Sequence, residues 1–335
     1  MLTQPEQAPV LGRLVARADI ELVGAGCPDP ARTGQIASQL GCEPVDDLRH
    51  ALTSVDADLV ILGDPGTFGE HARDQDLESL RAAHGRNVCV ATLEPIPAAA
   101  GEIAGTLYAE ALQNGTLGTL ARFVPLTRHT GLVTELQAAL ETFGPIRSCS
   151  ITIGAPAALG SLGARLFDAM DLVRSLIGVP NIVEAAYISP AAGRGLHPLP
   201  GQSLRGLHGE ITMNLRFSDG RCACVLLSDQ LARSRVSMTL IGREGHMSVH
   251  ARGFEWYNPE GALIDSHELA AEEDGVDPLE RALGTQLIEV CTGVGPKRSP
   301  VDYGGVLSMT HSALLSTRTG QGESPHDVEQ LLLSV

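Results

Sequence analysis

The chain has 335 residues, of which 43% are hydrophobic and 3% aromatic, and its formal net charge is −16. This charge would repel a nucleic-acid backbone and an anionic membrane surface, so neither is an expected partner. The seven cysteines include no CxxC pair, the first residues do not resemble a signal peptide and no apolar stretch has membrane-spanning length, so we expect a cytoplasmic protein with reduced thiols and no metal site.

The first third of the chain alternates short apolar runs with segments of helical character. Leu59 to Leu62 are four consecutive buried-type residues, which is typical of a parallel strand covered on both faces. Strands are predicted at 20–26, 56–66, 87–95 and 119–126, and helices at 10–17, 30–41, 45–54, 76–85 and 98–115. Repeated units of this kind predict an α/β domain over residues 1–125, with a Rossmann-like doubly wound parallel sheet.

The pattern changes after a helix predicted near 131–142. Alternating polar and apolar residues over residues 126–335 predict an α+β domain with a mostly antiparallel, open sheet. Strands are predicted at 146–154, 182–188, 209–220, 221–228, 235–250 and 254–258, and helices at 160–178, 277–292 and 302–317, with a possible docking helix at the end.

One segment, residues 189–209, is rich in glycine and proline and has no periodicity. It contains the side chains of Arg194, His197, Arg205 and His208. A loop of this length inside a compact domain is typical of either a functional segment or a mobile connection, and the sequence leaves both interpretations open.

Residues 22–30, LVGAGCPDP, raise the question of a dinucleotide site. The fingerprint of such a site is GxGxxG after the first strand, because its glycines let a pyrophosphate approach a helix N-terminus. Gly24 and Gly26 match, whereas Asp29 would place a carboxylate at the phosphates. The flanking helices indicate that the strand predicted at 20–26 is the second strand of the sheet rather than the first. The residues ahead of the first helix include Pro5 and Pro9, and we expect neither the first strand nor the GxGxxG turn there.

The order of these segments resembles the Gfo/Idh/MocA oxidoreductases, the glucose–fructose oxidoreductase and inositol dehydrogenase group, over about residues 10–320. The stretches that carry the resemblance are ELVGAGCPDP, DADLVILGDP, ATLEPIP, GARLFDAMDLVRSLIG, RFSDG with GREGHMSV, and the helix ending STRTG. The resemblance implies a Rossmann domain, an open-sheet domain that commonly forms an oligomer interface, and NAD or NADP as cofactor. It also implies oxidation or reduction of a sugar or cyclitol hydroxyl.

The chain departs from the family at the residues that the resemblance implies for catalysis. Glu94 stands where the Glu-Lys-Pro loop of the family has its lysine. On the long helix, Asp168 stands where a histidine acts in proton transfer, three residues before Asp171, and Arg165 replaces a small residue one turn earlier. An aspartate can act as a base, and a Glu–Arg pair can hold a polar ligand, so Asp168, Glu94 and Arg165 are the catalytic candidates. Arg165 and Asp168 can equally form an ion pair without chemistry.

The cofactor residues depart as well. The Thr-Pro turn of the family reads Asp64-Pro65, which would put a negative charge beside a nucleotide. The acid that binds the ribose at the end of the second strand is matched by Cys27 or, after a small shift, by Asp29. The cofactor candidates are therefore Gly24, Gly26, Asp29, Asp64, Pro65 and Pro95.

Three functions remain open at this point. The first is a divergent family member with an impaired NAD(P) site that acts as a binding or partner subunit, in a homo-oligomer or with an intact homologue. The second is an active, atypical NAD(P)-dependent oxidoreductase of a sugar or cyclitol. The third is a redox-free lyase or hydrolase of a sugar derivative that uses Asp168 and Glu94 as acid and base.

Overall fold

A computed structural model describes residues 1–190, 199–269, 275–296 and 298–333. The first part of the chain alternates helices with short strands. In chain order the elements are α1 Ala8–Arg17, β1 Gly24–Ala25, α2 Pro30–Leu40, β2 Glu43–Pro44, α3 Leu48–Ser54, β3 Leu59–Leu62, α4 Asp74–Gly85, β4 Cys89–Thr92, α5 Leu107–Gln113, α6 Leu117–Leu120, β5 Arg122–Phe123 and α7 Gly131–Phe143.

The strands of this part are parallel, as the repeated units predict. β3, β4 and β5 form one sheet in that order, and β1 pairs with β2. Leu2 lies between the two groups, because it bridges Gly26 on one side and Leu62 on the other, both in parallel. Residues 1–3 therefore occupy the position of the first strand, and one residue among them forms both bridges. The sequence does not predict this contact.

The second part is built on one large sheet. Its elements in chain order are β6 Ile146–Pro156, α8 Leu162–Leu176, β7 Ile182–Ile188, β8 Glu210–Arg216, β9 Cys222–Ser228, β10 Gln230–Gly242, β11 His246–His250, β12 Gly253–Tyr257, β13 Leu263–Glu268, α9 Pro278–Thr292, α10 Tyr303–Thr319 and α11 Pro325–Leu333. The strand order is β13-β12-β11-β10-β6-β9-β8-β7, and every neighbouring pair is antiparallel except β6 with β9.

Two predicted elements are divided at glycines. The helix predicted over 98–115 becomes a short 3-10 turn at Ala100–Glu102 followed by α5, and Gly105 between them has φ +74°. The strand predicted over 235–250 becomes the hairpin of β10 and β11. Gly245 in its turn has φ +120°, and an added Cβ would lie 1.9 Å from the Tyr257 carbonyl oxygen. A left-handed backbone in close contact with a neighbouring strand admits only glycine there.

The two parts of the chain share a core. α8 and α10 pack on one face of the large sheet. Leu283 and Leu287 of α9 pack with Ile61 and Leu93 against the small parallel sheet. α9 therefore covers a sheet made by residues far earlier in the chain, and the boundary near residue 125 stays a prediction. Among the described residues, no helix combines the length and apolar character needed to cross a membrane.

Candidate functional site at the carboxyl edge of the parallel sheet

The parallel strands β3 and β4 end side by side, at the edge where α/β folds bind ligands. Residues 203–209, which we call the crossing segment, run across this edge. Leu204 N donates to the Ala98 carbonyl oxygen (2.9 Å), and the Leu207 carbonyl oxygen accepts from Leu162 N at the start of α8 (2.9 Å). The crossing segment is therefore fastened to both the strand ends and α8.

Arg205 is the residue through which the crossing segment contacts the loops after β3 and β4. Its Nη1 donates to the carbonyl oxygens of Gly66 (2.6 Å) and Phe68 (2.7 Å), and its Nη2 donates to that of Pro95 (2.9 Å). Burial lowers the pKa of Arg205, while the carboxylates of Glu94 and Asp64 act in the opposite direction. Its Nε is buried and has no hydrogen-bond partner among the described residues.

Glu94, which follows β4, contacts the N-terminus of α8. Its Oε1 accepts from Ser161 N (2.8 Å) and its Oε2 from Ser161 Oγ (2.7 Å). Ser161 is itself the N-cap of α8. Burial raises the pKa of Glu94, and the two bonds from Ser161 oppose that shift. Glu94 thus orders a helix N-terminus, where a negative charge is favourable, and is only 4% exposed.

Arg165 and Asp168 are fully buried on α8. Asp168 accepts from Thr127 N through Oδ1 and from Thr127 Oγ1 through Oδ2, both at 2.6 Å. Arg165 Nη2 donates to the Leu159 carbonyl oxygen (3.1 Å), and its Nη1 lies 3.9 Å from Asp168 Oδ2. Burial raises the pKa of Asp168 and lowers that of Arg165, and each charge opposes the shift of the other. The pair is enclosed by protein, while Arg165 Nε and Nη1 have no hydrogen-bond partner among the described residues.

The two candidate cofactor glycines allow a close backbone approach. An added Cβ on Gly26 would lie 2.1 Å from the Val45 carbonyl oxygen, and one on Gly24 would lie 2.8 Å from Val45 Cγ2. Asp29 is the N-cap of α2 and accepts from Ala31 N (3.1 Å). Cys27 is buried, which raises the pKa of its thiol. These contacts give all four residues a structural role in the packing of β1, β2 and α2.

The remaining cofactor candidates lie at the strand ends. Pro65 and Pro95 are buried, and Asp64 is partly buried. Asp64 Oδ1 accepts from Gly66 N (2.7 Å), and its Oδ2 accepts from Gln4 Nε2 (2.8 Å). The Gln4 side chain therefore crosses from the segment before α1 to the end of β3.

The N-terminus of α1 is where a dinucleotide fold holds the pyrophosphate. Gln7 N and Ala8 N both donate to the Gln4 carbonyl oxygen (3.0 and 3.1 Å), and Val10 N donates to that of Gln7 (3.1 Å). Pro9, in the first turn, has no N–H. The amide protons of residues 7, 8 and 10 are thus bound within the protein, and residue 9 has none.

A second pair at this edge, His208 with Asp229, was not paired by the sequence analysis, which noted His208 only as a loop residue. His208 Nδ1 lies 2.6 Å from Asp229 Oδ2, and the Asp229 carboxylate also accepts from Gly209 N (2.8 Å) and Gln230 Nε2 (2.5 Å). The hydrogen bond to Asp229 raises the pKa of His208, to which the charges of Glu94 and Asp64 contribute. The side chain of His208 is 49% exposed, so its Nε2 is accessible.

A further buried ion pair lies at α8. The Arg128 guanidinium and the Asp171 carboxylate form a buried ion pair, and Arg128 also donates to Ser299 Oγ (2.7 Å) and its carbonyl oxygen (2.9 Å). Burial raises the pKa of Asp171 to about 7.

Arg194 and His197, which the sequence analysis singled out, lie outside the described residues.

A cavity of about 370 Å³ lies between β5 and the end of α9, and it borders the carboxyl end of β5. Phe123, His129, Val290, Arg298 and Tyr303 are among the residues that line it. None of the candidate residues from the sequence analysis lines it, but Tyr303, which does, accepts a hydrogen bond from Ile96 N (2.9 Å), next to Pro95. Within the described part of the chain, no three His, Cys, Asp or Glu residues are grouped to hold a metal ion.

Comparison with known proteins finds no matching protein family profile and no matching curated protein. Solved structures do match over nearly the whole chain. UDP-N-acetylglucosamine 3-dehydrogenase GnnA from Acidithiobacillus ferrooxidans is 17% identical, covers 99% of this chain and 97% of its own, and has a TM-score of 0.62. Levoglucosan dehydrogenase, in a complex with NADH and levoglucosan, is 15% identical, covers 96% and 98% of the two chains, and has a TM-score of 0.65.

An oxidoreductase from Agrobacterium radiobacter, in a complex with NAD+, L-tartaric acid and magnesium, is 14% identical, covers 97% of this chain and 98% of its own, and has a TM-score of 0.64. NADH and NAD+ are thus the cofactors in two of these structures. At such identities the likeness concerns the fold, and it confirms the resemblance drawn from the segment order. The chain has the fold of the Gfo/Idh/MocA-type sugar and cyclitol dehydrogenases.

Proposed function

We propose that this chain is a dehydrogenase-fold protein that binds a small polar ligand of the sugar or cyclitol class without holding a dinucleotide through its pyrophosphate. The observation that carries the proposal is the start of α1, where Gln7 N, Ala8 N and Val10 N all have acceptors within the chain. A phosphate bound there would have to displace those bonds and would gain no glycine-rich turn in exchange.

Charge supports the same conclusion. Asp64 at the end of β3 is held by Gln4 Nε2, so a carboxylate lies beside the path that a pyrophosphate would take. Glu94 stands where a lysine would stabilise negative charge, and it is occupied in capping α8. Like charges at close range in a partly buried site cost free energy, which weakens the binding of an anionic cofactor.

The test is a titration of the purified protein with NADH and NADPH, followed by nicotinamide fluorescence and by thermal shift. We expect no saturable binding up to millimolar cofactor. The variant Gln4→Ala, which removes the side chain bonded to Asp64, serves as a matched comparison. Saturable binding of either nucleotide to the wild-type protein in the micromolar range would refute the proposal.

An active NAD(P)-dependent oxidoreductase is the second candidate. The likeness to dehydrogenases over 96% of the chain or more favours it, because two of them contain NADH or NAD+. His208, with Nδ1 on a buried carboxylate and Nε2 accessible, has the arrangement of a general base for a hydroxyl proton. Micromolar binding in the titration above selects this candidate over the first.

We further propose that the chain assembles with a second copy or with an intact homologue through the outer face of the large sheet. The register of β6, β8 and β9 places Ser150, Asn214 and Cys224 side by side on this face, with Thr212 beside Leu226. All five are exposed and uncharged in this structure. This central part of the face is uncharged, whereas the exposed Arg216–Glu184 ion pair lies on its β7–β8 side. An uncharged patch at the centre of a sheet face is suited to burial against another subunit.

A further inference from the structure

The cavity of about 370 Å³ lies beside β5, the edge strand of the small parallel sheet. Its walls come from β5, from the end of α9 and from the residues that follow α9. The apolar part of the lining includes Phe123, Val124, Val290, Val301 and Tyr303. A cleft of this size, with mostly apolar walls and a few polar groups, has the composition of a small-molecule site.

Arg298 is fixed in the wall of this cavity with one donor left over. Its Nη2 donates to Glu289 Oε1 (2.6 Å), and its Nη1 donates to the His129 carbonyl oxygen. These two bonds hold the plane of the guanidinium, while its Nε is buried and has no hydrogen-bond partner in the described structure. Buried donors are rarely left unpaired, so this atom indicates a water molecule or a ligand.

Arg122, on β5, brings a second guanidinium to the same cavity. It is exposed and makes no hydrogen bond or ion pair within the described residues. Glu289, the one carboxylate among the described lining residues, is bound by Arg298. The lining therefore carries an excess of positive charge, although acidic residues outnumber Lys and Arg by 40 to 24 in the whole chain.

His129 lies in the field of these cations and also lines the cavity. Burial and the charges of Arg128 and Arg298 lower its pKa to about 3, while the Ser299 backbone opposes the shift. The ring is therefore neutral at pH 7. Its Nε2 is buried without a hydrogen-bond partner among the residues described, so the lining contains a second polar atom that the fold does not satisfy.

We propose that this cavity is a binding site for a small organic carboxylate with an apolar body. Arg298 Nε donates to the carboxylate, and Arg122 supplies a second cation, because guanidinium groups form their strongest hydrogen bonds with charged acceptors. The apolar body packs against Phe123, Val290 and Tyr303. The inference goes beyond the proposed function and does not depend on it, since it uses a different set of residues and a different class of ligand.

The experiment titrates the purified protein with benzoate and with benzamide, which has the same apolar body without the charge. Calorimetry and ligand-observed NMR measure both titrations. We expect saturable binding of benzoate and about tenfold weaker binding of benzamide, because the amide cannot accept charge-assisted hydrogen bonds from a guanidinium.

Three variants locate the site. Arg122→Gln removes an unpaired cation, and Val294→Asp adds a carboxylate at a lining position whose side chain is 75% exposed. Each should bind benzoate about tenfold more weakly than the wild type and should bind benzamide as the wild type does. Arg147→Gln is the control, because Arg147 on β6 is also exposed, has no partner among the described residues and does not line the cavity. It changes the net charge as Arg122→Gln does and should leave benzoate binding unchanged.

Each alternative result overturns one part of the inference. Equal affinities for benzoate and benzamide would exclude an anionic ligand. Unchanged benzoate binding by Arg122→Gln and Val294→Asp would place benzoate outside this cavity, and no saturable binding at millimolar benzoate would refute the site. Melting curves check that the variants fold, which both substitutions at exposed positions should allow. The proposed function is tested separately by the cofactor titration, so either proposal can fail alone.

Discussion

Gly26 offers a sharp test of whether the GAG turn serves a cofactor or the fold. A Cβ added at Gly26 would lie 2.1 Å from the Val45 carbonyl oxygen, far inside van der Waals contact. Gly26 N donates to the Met1 carbonyl oxygen (2.8 Å), and its own carbonyl oxygen accepts from Thr3 N (3.0 Å). The strand therefore cannot move away from Val45 without straining these bonds.

The substitution Gly26→Ala should lower the free energy of unfolding by about 3 kcal/mol. Overpacking in a well-packed region costs about 1–3 kcal/mol, and a buried backbone hydrogen bond lost in the adjustment costs about 1–3 kcal/mol more. Gly34→Ala is the matched control, because Gly34 lies within α2 and no heavy atom would lie within 4 Å of its added Cβ. It should gain about 0.5–1 kcal/mol by reducing the freedom of the unfolded chain.

Urea unfolding followed by circular dichroism measures both variants. The two should differ by about 4 kcal/mol at an unchanged m value, which reports stability rather than compactness. If Gly26 served only the cofactor, Gly26→Ala would unfold at the same urea concentration as the wild type and would weaken dinucleotide binding instead. A Gly26→Ala protein as stable as the wild type would therefore refute the packing argument.

Three other outcomes are expected. His311 accepts a hydrogen bond from Ala100 N through Nε2, and burial lowers its pKa to about 4. Because the unfolded chain binds this proton near pH 6.5, the contribution of His311 to stability should be full above that pH and should fall by roughly 3 kcal/mol as the pH drops to 4. His311→Asn should lack this contribution, so the stability difference between the two proteins in urea melts should change by that amount, while Asp171, with its raised pKa, affects both proteins equally. Glu94→Gln should lower stability by about 1 kcal/mol through the weakened cap of α8, and Glu102→Gln, at an exposed carboxylate, should not. Leu226→Arg should reduce the mass measured by light scattering to that of one chain; an unchanged mass would exclude the outer sheet face as the interface.

Strong apolar patterns predicted the elements that the core determines. The strand Ile182–Ile188 has the predicted bounds, and α8 lies within the helix predicted over 160–178. β3 is limited to the apolar run Leu59–Leu62 inside the strand predicted over 56–66. β13, Leu263–Glu268, was not predicted, because it is a largely exposed edge strand whose residues show no alternation. β1 has two residues, and its extent is set by the partners Leu2 and Glu43 on either side. No local pattern encodes partners that are brought together by the tertiary fold.

The candidate site could be located from the sequence but not assembled. Apolar runs followed by turns place Asp64 and Glu94 at strand ends, and the carboxyl ends of parallel strands share one edge. Nothing local shows that Glu94 meets Ser161, 67 residues later, or that Asp168 meets Thr127, 41 residues earlier. Likewise, His208 meets Asp229 only because β8 and β9 pair as a hairpin. The sequence pattern indicates where these residues lie, but their roles depend on contacts with residues that are far away in the sequence.

Hydrogen bonds integrate Glu94 into the carboxyl edge of the parallel sheet. Glu94 alone would leave a buried carboxylate among strand ends, which is costly unless it is paired or hydrogen-bonded. The Ser161 bonds satisfy its oxygens, and the N-terminus of α8 favours its charge. Arg205 then returns a cation to the same edge, held by the Pro95 carbonyl oxygen next to Glu94. A guanidinium fixed at this edge, whose Nε has no partner among the described residues, supports the proposed binding of a neutral oxygen-rich ligand.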